Sequence, residues 1–172
     1  NRVLRRLGAA RVIALDITEA RVQAALRFGA THALNNSRLD SAAAVKAVKE
    51  ITGGELPDLV VEACGEPSGI NLAIALVRVG GRIQFFGVPH EVGFPLDYWN
   101  LFRKYCTTHS TGRSSFEADK WHFRLALELI ASREVDVQGM VTHHLPLDRA
   151  AEAYERARTR DDGALKVVVD MV

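Results

Sequence analysis

Apolar and polar positions along this chain follow two alternating periods. Short apolar runs rich in β-branched residues predict strands. The longer stretches between them, with apolar residues three and four apart, predict helices. Arg2–Leu7 reads as the end of a helix with Gly8 at its C-cap, and Val12–Leu15 as a buried strand. Thr18 caps a helix to Phe28, closed by Gly29, with Ala20, Ala24, Leu26 and Phe28 among its apolar positions. Thr31–Leu34 is a short strand before an Asn35-Asn36 loop, and Ser41–Ile51 is a helix ended by Gly53-Gly54. Leu59–Ala63 is a continuous apolar strand broken only by Glu62. Ser68–Val77 is a helix, and Gly80-Gly81 turns into the strand Ile83–Phe86. Strands alternating with helices in this way call for a parallel sheet with helices on both faces.

The rhythm changes after Phe86. Pro89–Pro95 reads as a loop, Tyr98–Lys104 as a short helix, and Cys106–Thr111 as a strand rich in Thr and Ser. Phe116–Ala131 is an amphipathic helix. Ser132–Met140 has mixed polarity without helical period and reads as a linker, hence a candidate boundary that divides the chain into 1–135 and 136–172. Beyond it come a strand over Val141–Leu147, a helix capped by Asp148 to about Arg158, an Asp161-Asp162-Gly163 turn and a last strand over Lys166–Val169.

A length of 172 residues holds one good core, or one domain and a fragment of another. Lys and Arg number 22 against 21 Asp and Glu, which argues against nucleic acid or an anionic membrane as partner. Arg2, Arg5 and Arg6 make the tightest basic cluster and read as a solvated helix face. The two cysteines, Cys64 and Cys106, lie in no Cys-x-x-Cys pair and carry no zinc-ligand spacing. With no signal peptide in view they predict a reducing, cytoplasmic setting. No apolar stretch approaches the ~20 residues that span a bilayer.

In open α/β sheets, ligands bind beyond the carboxyl ends of the strands. The residues there are Asp16, Ala63-Cys64-Gly65, Phe86-Gly87-Val88 and His109-Ser110. Asp16 is the most informative. An acid ending such a strand accepts hydrogen bonds from an adenosine ribose and repels a 2′-phosphate, which points to NAD. Its other reading is a carboxylate that favours the N-terminus of the next helix. Arg21 either flanks the adenine or is solvated. Gly65 and Gly87 either admit a cofactor to the backbone or serve turns. Cys64 reads as a small packed residue, since no base is fixed near it. Neighbouring His143 and His144 point to opposite faces of a strand and cannot chelate together. No nucleophile, base and orienting group can be assembled. Tyr98, Trp99 and Phe102 suit an apolar wall or core packing equally. A Gly-rich turn stands ~20 residues before such an acid. Only fifteen residues precede Asp16, with the single glycine Gly8, so the chain is expected to begin inside the fold.

The segments Leu7-Gly8-Ala9-Ala10-Arg11-Val12-Ile13-Ala14-Leu15-Asp16, Arg27-Phe28-Gly29-Ala30-Thr31-His32-Ala33-Leu34-Asn35 and Asp58-Leu59-Val60-Val61-Glu62-Ala63-Cys64-Gly65 resemble the zinc-containing alcohol dehydrogenases of the medium-chain dehydrogenase/reductase family. Sorbitol- and threonine-dehydrogenase-like members are included. Val79-Gly80-Gly81-Arg82-Ile83-Gln84-Phe85-Phe86-Gly87-Val88-Pro89 and Val141-Thr142-His143-His144-Leu145-Pro146-Leu147-Asp148 extend the resemblance over essentially the whole chain. It implies an α/β fold: a Rossmann-type, doubly wound parallel sheet lacking its first strand and Gly-rich turn, over 1–135. A C-terminal β-α-β segment over 136–172 would complete a GroES-like catalytic domain. It implies hydride transfer between an alcohol or polyol and NAD, with Asp16 on the adenosine ribose and Arg21 beside the adenine. Ala63, Cys64 and Gly65 would line the adenosine end or the middle of the groove. Phe86, Gly87 and Val88 would lie along the nicotinamide, His109 and Ser110 near its carboxamide, and Lys166 on the pyrophosphate. Zinc is expected only in the N-terminal domain that such proteins carry and this sequence lacks. Members often pair through the strand that is Cys106–Thr111 here, which predicts a homo-oligomer.

Three readings follow: the NAD-binding portion of a zinc-dependent alcohol or polyol dehydrogenase, a catalytically inactive fragment serving as a nucleotide-binding or oligomerisation module, and a zinc-free quinone-reductase-like relative. Asp16 counts against the third, because those enzymes tend to prefer a 2′-phosphate cofactor.

Overall fold

A computed structural model of the chain describes residues 1–111 and 118–171. In chain order the elements are α1 (Arg2–Arg6), β1 (Ile13–Asp16), α2 (Glu19–Arg27), β2 (His32–Asn35), α3 (Ser41–Thr52), β3 (Leu59–Glu62) and α4 (Pro67–Leu76). They continue with β4 (Arg82–Phe85), α5 (Tyr98–Arg103), β5 (Thr107–Ser110), α6 (Trp121–Ala131), β6 (Val141–Pro146), α7 (Ala150–Thr159) and β7 (Lys166–Asp170). Every strand pairing is parallel, as the alternation of periods predicts. The chain forms two compact units, Asn1–Ser37 with Phe123–Val172, and Arg38–His122.

In the first unit β1 pairs with β2, placing Asp16 opposite Asn35 at the carboxyl ends of both strands. The Thr31 hydroxyl secures the start of the pair, accepting from the Val12 N–H and donating to the Val12 carbonyl, both at 3.0 Å. Thr18 stands at the N-cap of α2, but its hydroxyl does not cap. The Asp16 carboxylate reaches forward and Oδ1 accepts from the Thr18 N–H at 2.9 Å, an aspartate turn into the helix, while the Arg21 N–H that the hydroxyl would cap goes to the Thr18 carbonyl at 3.0 Å. Asp148 does not cap a helix either. A 3₁₀ turn over Leu147–Arg149 intervenes and α7 opens at Ala150. The helix expected from Phe116 begins at Trp121. Phe116 lies outside the described residues, and positive φ at Asp119 and Lys120 breaks any helix just ahead of Trp121. Ser132–Met140 holds neither helix nor strand, yet it is tied to α1. Arg2 pairs with Asp136 at 3.1 Å, and Arg6 Nε donates to Glu134 at 2.6 Å. Arg6 holds the Glu134 carboxyl below the ordinary range.

In the second unit the strand order is β3-β4-β5. Ala73, Ile74 and Val77 bury themselves against Ile83, with Val60, Phe85, Leu101 and Cys106 packed around them. Full burial of a side chain such as Ile74 contributes roughly 1.5–3 kcal/mol. β3 is not buried throughout. Its side chains alternate across the sheet, so Glu62 is buried while Leu59 and Val61 are 44% and 42% exposed. α3 opens on Asp40, whose carboxylate accepts from the Ala43 N–H at 2.7 Å, and closes on left-handed Gly53. α4 carries Pro67 in its first turn and is closed by a cation. The Lys104 ammonium donates to the carbonyls of Ile74, Ala75 and Val77 at 2.7–2.8 Å. These carbonyls end a helix, where backbone partners run out and a positive charge is favoured. Among the described residues no helix is long and apolar enough to cross a membrane.

Candidate functional site

Asp16 is half-buried at the carboxyl end of β1. One carboxylate oxygen holds the turn into α2, and the other accepts from none of the described residues. The Asn36 N–H donates to the Asp16 carbonyl at 3.1 Å, while the Asn36 side-chain oxygen is buried without a partner. The Arg21 N–H bonds the Thr18 carbonyl at 3.0 Å, and its guanidinium Nε is also buried and unpaired. One bond to the Asp16 carboxylate and two backbone bonds thus join Asp16, Thr18, Arg21 and Asn36 into one turn cluster. A carboxylate oxygen that accepts from none of the described residues fits a ribose hydroxyl and disfavours a phosphate. The sequence marked Asp16 and Arg21. It treated Asn36 as a loop residue, and the Asn-Asn pair directly after β2 was the available signal. Glu19 lies nearby in the chain, held below the ordinary carboxylate range by hydrogen bonds from Gln23 and Asn35. Lys166, exposed at the start of β7, gives its carbonyl to the Thr142 hydroxyl. No hydrogen bond or ion pair among the described residues joins it to Asp16 or Arg21.

The second unit brings together Ala63, Cys64, Gly65, Phe86, Gly87 and Val88. Glu62, 4% exposed, organises them. Its Oε1 accepts from the N–H groups of Cys64 at 2.6 Å and Gly65 at 2.8 Å. Its main-chain carbonyl accepts from Phe86 at 2.8 Å and Gly87 at 3.0 Å. The two glycines admit backbone to backbone. A Cβ on Gly65, at φ +76°, would lie 2.0 Å from the Val88 carbonyl oxygen, and one on Gly87 would lie 2.3 Å from the Gly65 nitrogen. Phe86 and Val88 turn their side chains outward, 64% and 77% exposed, an apolar surface that fits a planar ring. The His90 N–H returns to the Gly65 carbonyl at 3.2 Å, and its ring meets Glu66 at 2.7 Å.

Cys64 is exposed as a residue, but its sulfur is tucked against Gly69, where a Cβ would come within 2.2 Å. That burial, with Glu62 and Glu66 adding negative charge, pushes the thiol pKa up. Cys64 is thus exposed as a residue where packing was expected, and its raised pKa speaks against an activated nucleophile. His109 and Ser110 end β5 with exposed side chains, opposite Gln84 and Phe85. Gln84 donates to the His109 carbonyl at 3.2 Å, and the Thr111 N–H donates to the Phe85 carbonyl at 3.0 Å, so the ends of β4 and β5 are joined. Tyr98, Trp99 and Phe102 are 63%, 68% and 59% exposed, which removes the core-packing reading. His143 and His144 bond separately, to Thr142 and Asp170. Among the described residues no group of three or more His, Cys, Asp or Glu is placed to hold a metal ion.

A family model described as zinc-binding dehydrogenase matches residues 2–132. An L-threonine 3-dehydrogenase of Bacillus subtilis is 31% identical over 167 residues, which is 96% of this chain and 46% of that protein. A sorbitol dehydrogenase of the same organism is 31% identical, over 94% of this chain and 44% of its own. Among solved structures, alcohol dehydrogenase TADH from Thermus sp. ATN1 superposes with a TM-score of 0.83 at 30% identity, covering 99% of this chain and 47% of that one. The chain spans less than half the length of these relatives.

Proposed function

The chain belongs to the zinc-binding dehydrogenase family, and on that footing we propose that it is the NAD-binding portion of a zinc-dependent alcohol or polyol dehydrogenase. The observation that carries this reading is Asp16, a carboxylate at the end of β1 with one oxygen spent on its own turn and the other open. Asp16 would take the ribose hydroxyls, with Arg21 and Asn36 flanking. Ala63, Cys64 and Gly65 would line the groove, Phe86, Gly87 and Val88 would meet the nicotinamide, and His109 and Ser110 its carboxamide. Lys166 would meet the pyrophosphate as a point charge. When bound, the dinucleotide supplies the hydride acceptor. The segment 136–172 would belong to the catalytic domain, and any zinc would be held by residues other than those of this chain. The substrate would be a small alcohol or polyol, in the cytoplasm. β5, at the edge of its sheet with exposed side chains, would join copies of the chain.

A thermal-shift titration with NAD⁺ and NADP⁺ tests the reading, since a ligand of the native state raises the melting temperature. NAD⁺ is expected to raise it selectively. Asp16→Ala removes a hydrogen bond to a charged group, about 1.5–3 kcal/mol, and is expected to weaken NAD⁺ roughly tenfold or more and erase the selectivity. An unchanged preference in that variant refutes the assignment. Alcohol turnover by the purified 172-residue chain with about one bound metal refutes the placement of zinc elsewhere.

A further inference from the structure

We infer that Glu62 is a positioning residue for the dinucleotide: it meets no ligand itself and fixes the two turns set against the cofactor. The inference rests on the NAD reading above. An acid inside an apolar strand is costly to bury, and Glu62 interrupts Leu59-Val60-Val61 at 4% exposure. From that place it gathers backbone N–H groups out of both turns. Oε1 takes Cys64 and Gly65, and its carbonyl takes Phe86 and Gly87. Oε2 is buried and accepts from none of the described residues. Oε2 stands over Gly87, where a Cβ would lie 2.8 Å from it. What this arrangement secures is the fit of one turn on the other. The backbone bonds to Phe86 and Gly87 would survive any substitution at position 62, so the side chain acts through the two Oε1 bonds: Gly87 lies so close to the Gly65 nitrogen that losing them lets Cys64-Gly65 shift against Phe86-Gly87-Val88.

Calorimetric titration of the 172-residue chain with NAD⁺ and with AMP, which carries only the ribose assigned to Asp16, separates positioning from general stability. Glu62→Ala is expected to weaken NAD⁺ about tenfold or more and to weaken AMP, which meets at most the Cys64-Gly65 turn and none of Phe86-Gly87-Val88, by clearly less. Glu62→Gln keeps an acceptor at the Oε1 position and is expected to restore most of the NAD⁺ affinity. Equal weakening of both ligands, no weakening of either, or no recovery with Gln overturns the inference. Should Glu62→Ala fail to melt cooperatively, Gly87→Ala, which parts the turns with the acid in place, is expected to give the same split. Unchanged NAD⁺ affinity in that variant overturns the inference. NAD⁺ binding that is absent from the unsubstituted chain overturns the dinucleotide reading and this inference together. Binding that is present but indifferent to Glu62 overturns this inference alone.

Discussion

Replacing Gly65 by alanine tests the closeness of the two turns directly. Two costs add at this position. The backbone sits at φ +76°, where an L-residue loses roughly 1–2 kcal/mol relative to glycine. The new methyl would also stand 2.0 Å from the Val88 carbonyl oxygen and 2.7 Å from its carbon. These are backbone atoms of the neighbouring turn and cannot rotate aside as a side chain would. Forcing extra volume into such a contact costs typically ~1–3 kcal/mol. The sum is about 2–5 kcal/mol. Gly53 supplies the control within the same unit. Its φ is +81° and a Cβ there would meet nothing within 4 Å, so Gly53→Ala carries the backbone cost alone. Urea unfolding followed by tryptophan fluorescence reads this unit, because Trp99 and Trp121 both lie in Arg38–His122. Comparable m-values make the midpoints comparable. Gly65→Ala is expected to lose at least ~1 kcal/mol more than Gly53→Ala. A difference below about 0.5 kcal/mol would show that the turns move apart freely, and the close packing around Glu62 would be wrong.

Lys104→Met keeps the aliphatic stem and deletes the ammonium that three α4 carbonyls share, so a loss of about 1–3 kcal/mol in the same urea assay is expected; an unchanged midpoint refutes the cap. Glu134, its pKa lowered by Arg6, stabilises fully above the unfolded carboxylate value of about 4.3, and that stabilisation disappears as pH falls through the lower folded value. Melting curves of Glu134→Gln should therefore lie below those of the parent chain at pH 7 and converge with them in acid; a gap that persists at pH 2 refutes the pairing. Cys64, with its thiol pKa raised by burial, should react with iodoacetamide at pH 8 more slowly than free cysteine, read by mass spectrometry of the modified peptide. Faster reaction would mean that the sulfur is not tucked against Gly69.

Where elements are governed by nearest neighbours, their positions were legible in advance. The period of the apolar residues set β1, β2, α3, α4 and β4 to within a residue or two, and Gly53 marked the end of α3 because only a left-handed residue closes a helix there. Caps were less legible. Thr18 and Asp148 both carry the right chemistry before a helix. At Thr18 the Arg21 N–H went to the Thr18 carbonyl and not to its hydroxyl, and at Asp148 a 3₁₀ turn came between. A capping residue competes with every neighbour that can reach the same donor, and a one-dimensional pattern does not contain that competition.

At the candidate site, sequence alone determined that an acid ends β1, that Gly65 and Gly87 follow β3 and β4, and that the chain reads as part of a dinucleotide-binding fold. Those features depend on residue type and spacing. Only the tertiary structure decided that the glycines serve contact between two turns, that Asn36 joins Asp16, that Lys104 closes α4 from across 30 residues, and that Glu62 accepts from N–H groups of both turns in the second unit. The reason is reach. A hydrogen bond or a van der Waals contact acts over a few ångströms, and which atoms come that close is set by how distant segments pack, not by the order in which they are written.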